Sequence, residues 1–171
     1  MKPFWTQVNA QTLAQGDLLK ECLVPVFGPN FGGNEEEEVP VSSANLIIVT
    51  QSCDLENKKV ELVALCPIHT MPEFELSNPA FKTKSRWEEV RKGRIEGLHL
   101  LGSLDNPEDN KGSLVVDFGQ IFSLPFDYLE KRTLSLGNRW RLDSPFLEHF
   151  SQAFARYFMR VGLPSSIPPF K

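Results

Sequence analysis

The chain is predicted to be mainly β with added helices: a small closed sheet, a helical insertion and a C-terminal amphipathic helix. Three observations predict it. Leu46-Ile47-Ile48-Val49-Thr50 and Val60-Glu61-Leu62-Val63-Ala64-Leu65 are runs of strand length that flank the turn-forming Asp54-Leu55-Glu56-Asn57-Lys58-Lys59, the pattern of a β-hairpin. Both runs carry more apolar residues than alternation requires, which places them inside a sheet. Phe146, Phe150, Ala153, Phe154, Tyr157, Phe158 and Val161 recur at three and four, which is one broad face of a helix.

The whole chain sets outer bounds. Its 171 residues suffice for a single domain with its own core. Thirteen Pro and eleven Gly imply many turns, and thirteen Phe a core with large aromatic payloads. A net charge of −4 argues against nucleic-acid binding through bulk charge. No run approaches the length of a membrane span, and the N-terminus lacks a basic segment followed by an apolar one. Three Cys without framework spacing fit a reducing cytoplasm.

In order along the chain, residues 1–16 are a lead-in that Phe4 and Trp5 anchor to the body. Leu18 to Phe27 is the first strand, with Pro25 suited to an edge or bulge and Gly28-Pro29-Asn30 as its end. The stretch from Gly28 to Ser43 has turn chemistry and four consecutive Glu, Glu35 to Glu38, which read as a solvated loop. The hairpin follows, and Pro67 is expected to close its second strand. Phe81 to Gly97 reads as a charged helix with Trp87 and Val90 on one side and Ser85 and Glu88 at capping-box spacing. Leu98 to Leu101 is a short strand, Asn106 to Lys111 a polar turn, and Gly112 to Phe122 a returning strand. Arg139-Trp140-Arg141-Leu142 alternates, so a strand here puts both Arg on one face. Residues 144–162 form the last helix, with Ser144 as cap, Pro145 at the first helical position, Glu148 in the first turn and Gly162 after its end. Arg156 and Arg160 lie towards that end, and residues 164–171 are an extended tail.

Cys53 as nucleophile with His69 as base is the sharpest catalytic idea. The hairpin opposes it. With the turn centred near Glu56-Asn57, Cys53 faces Val60, Cys66 faces Ile47 and His69 faces Ala44. Cys53 and His69 are then ~9 residues apart along the ladder, or ~30 Å. Asp54 beside the thiol would also raise its pKa. A zinc site of Cys66 and His69 completed by Cys22 and Cys53 offers one close ligand pair where two are usual, so no metal or other cofactor is implied. Gln51, Ser52, Cys53, Asp54 and Asn57 remain as an exposed recognition tip on the hairpin, although Asp54 and Asn57 also suit plain turn hydrogen bonding.

Gly16-Asp17-Leu18, the strand Leu46 to Thr50, the segment Ala64-Leu65-Cys66-Pro67-Ile68-His69-Thr70, and Val115 to Ile121 with Arg141-Leu142 and the last helix occur in an order that resembles the PemK/MazF-like family. The resemblance covers about two-thirds of the chain by its succession of short motifs, with residues 71–111 as an insertion. It implies an SH3-like barrel of the kind found as toxins in bacterial toxin–antitoxin modules. Family members cleave RNA without a metal, using an Arg at the start of the central strand and a Thr after the next. Thr70 matches the Thr, but Ser42-Ser43-Ala44-Asn45 stands where the Arg belongs. An RNA-cleaving version would therefore use Thr70 and His69 with Arg139 or Arg141 as cation. Glu35 to Glu38 beside that strand would repel phosphate. The expectation is a non-catalytic binding module in a bacterial multi-protein assembly, with a protein partner or a second copy. Endoribonuclease activity is the alternative, and a cysteine enzyme at Cys53 the third reading.

Overall fold

The structure is a computed structural model that describes residues 2–29, 31–33, 38–106 and 112–159. Eight strands make one antiparallel sheet: β1 (Trp5–Val8), β2 (Asp17–Pro25), β3 (Val41–Ile48), β4 (Leu62–Thr70), β5 (Leu98–Leu101), β6 (Leu114–Asp117), β7 (Phe122–Pro125) and β8 (Arg139–Leu142). Their order is β1-β8-β2-β3-β4-β6-β5, with β7 also on β4. The described residues also contain five α-helices, α1 (Ser52–Glu56), α2 (Met71–Ser77), α3 (Lys84–Arg91), α4 (Phe126–Leu136) and α5 (Phe146–Phe158), and a 3-10 turn at Pro79–Phe81. The chain is thus mixed α/β and mainly β, as expected.

The predicted ladder is present. Leu46, Ile47 and Ile48 pair with Pro67, Cys66 and Leu65, so Cys66 does face Ile47. The connection differs: residues 52–56 are helix α1, not a tight turn. Leu55 is its buried anchor, and so short a helix leaves no periodic signal. The excess of apolar residues in β3 has a plain cause, because both sheet faces are covered. Ile47 packs in a cluster with Leu18, Cys66, Val116 and Phe150, whereas Leu46 and Ile48 pack with Leu19, Leu65, Leu124 and Leu129. Helix α5 supplies Phe150 to the first layer and α4 supplies Leu129 to the second.

Strand β4 pairs with three others and runs through Pro67 to Thr70, which corrects the expectation that Pro67 closes it. Its outer edge is shared. Leu62 to Leu65 pair with β7, and Ile68 to Thr70 pair with β6. The expected single strand from Gly112 to Phe122 is therefore two, separated by a turn in which Asp117 Oδ1 accepts from Gly119 N at 2.8 Å. The break on β4 falls at Cys66-Pro67, beside the one residue with no N–H to give.

Several boundaries also move. The lead-in is strand β1, with Trp5 buried as expected and Phe4 stacked on Phe146 at 3.6 Å. The charged helix spans Lys84–Arg91 with Thr83 at its N-cap position, so Ser85 lies inside it and does not cap. The capping box belongs to α2. Pro145 stands at the N-cap position of α5 without a side-chain cap bond, so Ser144 does not cap it either. Helix α4 is not among the expected elements, although Phe126, Leu129 and Thr133 form its buried side. Arg160, Gly162, the tail and Glu35 to Glu37 lie outside the described residues.

Candidate functional site

The expected recognition tip is built largely from internal bonds. Ser52 Oγ accepts from Gln15 N at 3.0 Å, and Asn57 Nδ2 donates to Cys53 O at 2.6 Å. Asp54 stands 3.9 Å from Lys59 Nζ and 3.8 Å from Cys53 Sγ. Gln51 occupies the N-cap position of α1 without a side-chain bond to it, and both Gln51 and Cys53 are exposed. The tip is a short helical turn without a side-chain N-cap, docked on residues 13–15, and Gln51, Cys53, Glu56 and Asn57 are its exposed residues.

Cys53 and His69 are apart, although not for the reason expected from the ladder. Cys53 sits on α1 rather than opposite Val60, and Ala44 pairs with Cys22 while His69 pairs with Val115. The chain entering α1 is tied to the beginning of β4, where Ala64 N donates to Thr50 Oγ1. His69 lies five residues further on, ~16 Å along an extended strand. Cys22 and Cys66 belong to the two different core layers, so the four candidate zinc ligands do not converge. Burial pushes their thiols up to about 11 and about 12, which leaves both inert at neutral pH.

Thr70 and His69 end β4, and each has a structural occupation. Thr70 Oγ1 accepts from Glu73 N at 3.3 Å while Glu73 Oε2 accepts from Thr70 N at 2.8 Å. These reciprocal bonds start α2. The His69 ring lies 6.0 Å from that of Phe74, the buried residue of the same helix. Arg141 is three ladders away on β8.

Arg139 and Arg141 do share a face, and that face turns on Asp17. The Asp17 carboxylate is fully buried. Arg139 Nε donates to Oδ2 at 2.9 Å, and Arg141 donates through Nε to Oδ1 at 2.5 Å and through Nη2 to Oδ2 at 3.0 Å. Ala14 N also donates to Oδ2, at 3.0 Å. Arg139 Nη1 also donates to Ala10 O, and Nη2 of both Arg139 and Arg141 to Thr12 O. The cluster fastens residues 10–14 to β2 and β8 and uses both cations to do so.

A cleft of about 470 Å³ opens elsewhere, where β5 passes between α3 and α5. No family model and no curated protein matches this chain. The cleft therefore has to be read from its residues. His99 of β5 forms its floor, stacked on Phe118 at 5.9 Å and facing Phe150 at 5.9 Å. Burial lowers the His99 imidazole to about 4, and His149 on α5 adds to that shift, so His99 is neutral at pH 7. Arg91 and Lys92 line one side and Arg156 and Tyr157 the other, with Glu96 as the acidic member. Sequence reasoning passed over this site. His99 sits inside a short strand, 50 positions from His149, and only the folding of α5 across β5 brings the two together.

Proposed function

We propose that this chain is a non-catalytic binding module on a PemK/MazF-like barrel, working in a bacterial cytoplasmic assembly through a basic protein partner. The observation that carries this reading is the far end of the β2–β3 hairpin. There the pairing continues to Pro25↔Val41 and Val26 N donates to Pro40 O at 2.8 Å, beyond the strands that flank the hairpin lower down. Val26, Phe27, Phe31 and Val41 are all exposed, at 44% to 65%, and the rings of Phe27 and Phe31 touch at 4.6 Å. Apolar side chains grouped in this way mark a contact surface. The run Glu35 to Glu38 follows Phe31 in sequence. A second copy of the chain would bring two such runs together, which like-charge repulsion opposes, whereas a basic partner would be attracted.

Catalysis is disfavoured by what holds the candidate residues. Thr70 caps a helix, and the two candidate cations, Arg139 and Arg141, are bound to Asp17. A scissile phosphate would find no free guanidinium among these groups to stabilise its developing charge.

Co-purification from the native host, compared between the parent and a Phe27→Asp/Phe31→Asp variant, tests the reading together with an RNA-cleavage assay. Expected are a basic partner held by the parent, released by salt and absent from the variant, and no metal-independent cleavage of RNA. Cleavage that Thr70→Ala and His69→Ala abolish would establish the endoribonuclease instead. Identical recovery by parent and variant would remove the hairpin as the contact.

A further inference from the structure

We infer that the cleft between α3, β5 and α5 is a binding site for a small aromatic anion, a planar ring carrying a phosphate or carboxylate and about the size of a mononucleotide. This rests on reading the chain as a binder, but it uses different residues from the hairpin contact. Size comes first. At about 470 Å³ the cleft lies within the roughly 300–1,000 Å³ usual for small-molecule sites. A benzoate-sized ring alone would leave most of it to water.

The lining sets the chemistry. Its floor and one wall are rings: His99, Phe118 and Tyr157. Phe118 is 2% exposed and backs the others, so half-buried His99 and Tyr157 offer the face on which a planar group stacks. The His99 ring makes no hydrogen bond among the described residues, and no buried side-chain nitrogen or oxygen among them is left unbonded, so its nitrogens reach the surface of the cleft. A neutral imidazole there can donate to or accept from a ring substituent without first losing a proton.

Charge selects the rest of the ligand. Arg91, Lys92 and Arg156 face Glu96 alone as an acid in the lining, on a chain whose net charge is −4. Arg91 is already held by Glu88, through Nε at 3.0 Å and Nη2 at 2.8 Å. Arg156, on the opposite wall, takes no side-chain partner among the described residues. It is the guanidinium open to a carboxylate or phosphate, whose geometry its planar fork matches. His99 and Tyr157 would thus hold the ring while Arg156 and Lys92 hold the anion.

Isothermal titration with AMP, adenosine, inorganic phosphate and benzoate tests this on the full chain. AMP is expected to bind saturably with Kd of about 1 mM or tighter, and adenosine and phosphate each about tenfold or more weaker. A carboxylate-bearing ring of similar size, such as folate's pterin–benzoate portion, binding better than AMP would assign the anion as carboxylate and still support the site. Arg156→Glu, an exposed change that leaves the fold intact by circular dichroism, should weaken AMP by about tenfold or more, the usual effect of losing a charge-assisted hydrogen bond. His99→Leu should weaken AMP and adenosine alike. Absence of saturable binding by every ring-bearing anion, or AMP binding indifferent to Arg156→Glu, overturns the proposal. Either result leaves the RNA-cleavage and co-purification outcomes untouched, so failure here is separable from failure of the binding-module reading.

Discussion

Asp17 shows what a single residue contributes that its neighbours in sequence cannot reveal. Gly16-Asp17 reads as the opening of a strand, and the alternation from Arg139 to Leu142 correctly puts two guanidinium groups on one face. That the two features meet is invisible in the sequence, because 122 and 124 positions separate the carboxylate from its partners. Burying Asp17 and Arg139, with Arg141 partly buried beside them, is costly, and mutual attraction with hydrogen bonding offsets that cost only while every member is present. Asp17→Asn removes the negative charge and keeps the shape. It leaves Arg139, 4% exposed, as an uncompensated cation among backbone carbonyls. The expected loss is about 3–5 kcal/mol in urea unfolding. A loss under about 1 kcal/mol would mean that the charges are solvated more freely than this burial implies.

Among the elements, β3 and β4 were legible because their sequences are overdetermined. Ile47 and Cys66 had to face each other once two apolar runs were folded about one centre, and they do. Helix α1 was not legible, since five residues carry little more than one turn of periodicity. The end of β4 was misread because Pro usually stops a strand, yet here the ladder partner changes at that very residue. Thr70-Met71-Pro72-Glu73 was legible in principle, being the Thr-x-x-Glu of a capping box with Pro in the first turn. The family resemblance gives its Thr to catalysis instead. The two roles make different predictions. As a cap, Thr70→Ala costs about 1 kcal/mol of stability and Thr70→Ser much less, because a Ser hydroxyl accepts the same amide. Chemical denaturation of the three proteins decides the matter, and equal stability of Ala and Thr would dismiss the cap.

At the scale of the whole molecule, one side-chain bond links the two ends of the strand order. Strands β1 and β5 are the outer members of the order, yet Trp5 Nε1 donates to Gly102 O at 2.8 Å, just past the end of β5. Trp5, Leu101, Leu114 and Leu142 share one core cluster, so the apolar layer is continuous across the gap between the ends. No composition or period announces such a contact; it needs the accumulated twist of every intervening strand.

The meeting point is also sterically exacting, which makes it testable. A Cβ on Gly102 would lie 2.6 Å from Phe4 Cδ2, and the Phe4 ring is already pressed flat on Phe146. That ring cannot retreat without leaving the stack, so Gly102→Ala must displace either Phe4 or the backbone after β5. Overpacking of this kind costs about 1–3 kcal/mol. Trp5→Phe keeps most of the apolar contact but deprives the Gly102 carbonyl of its donor, for about 1–3 kcal/mol if that oxygen stays buried. If the two ends are held together here, both variants should speed amide exchange in β1 and β5 together while the β3–β4 ladder stays protected. Faster exchange confined to β1 would mean that the contact anchors one strand only, and unchanged exchange in both would mean that the ends are held by something other than Trp5.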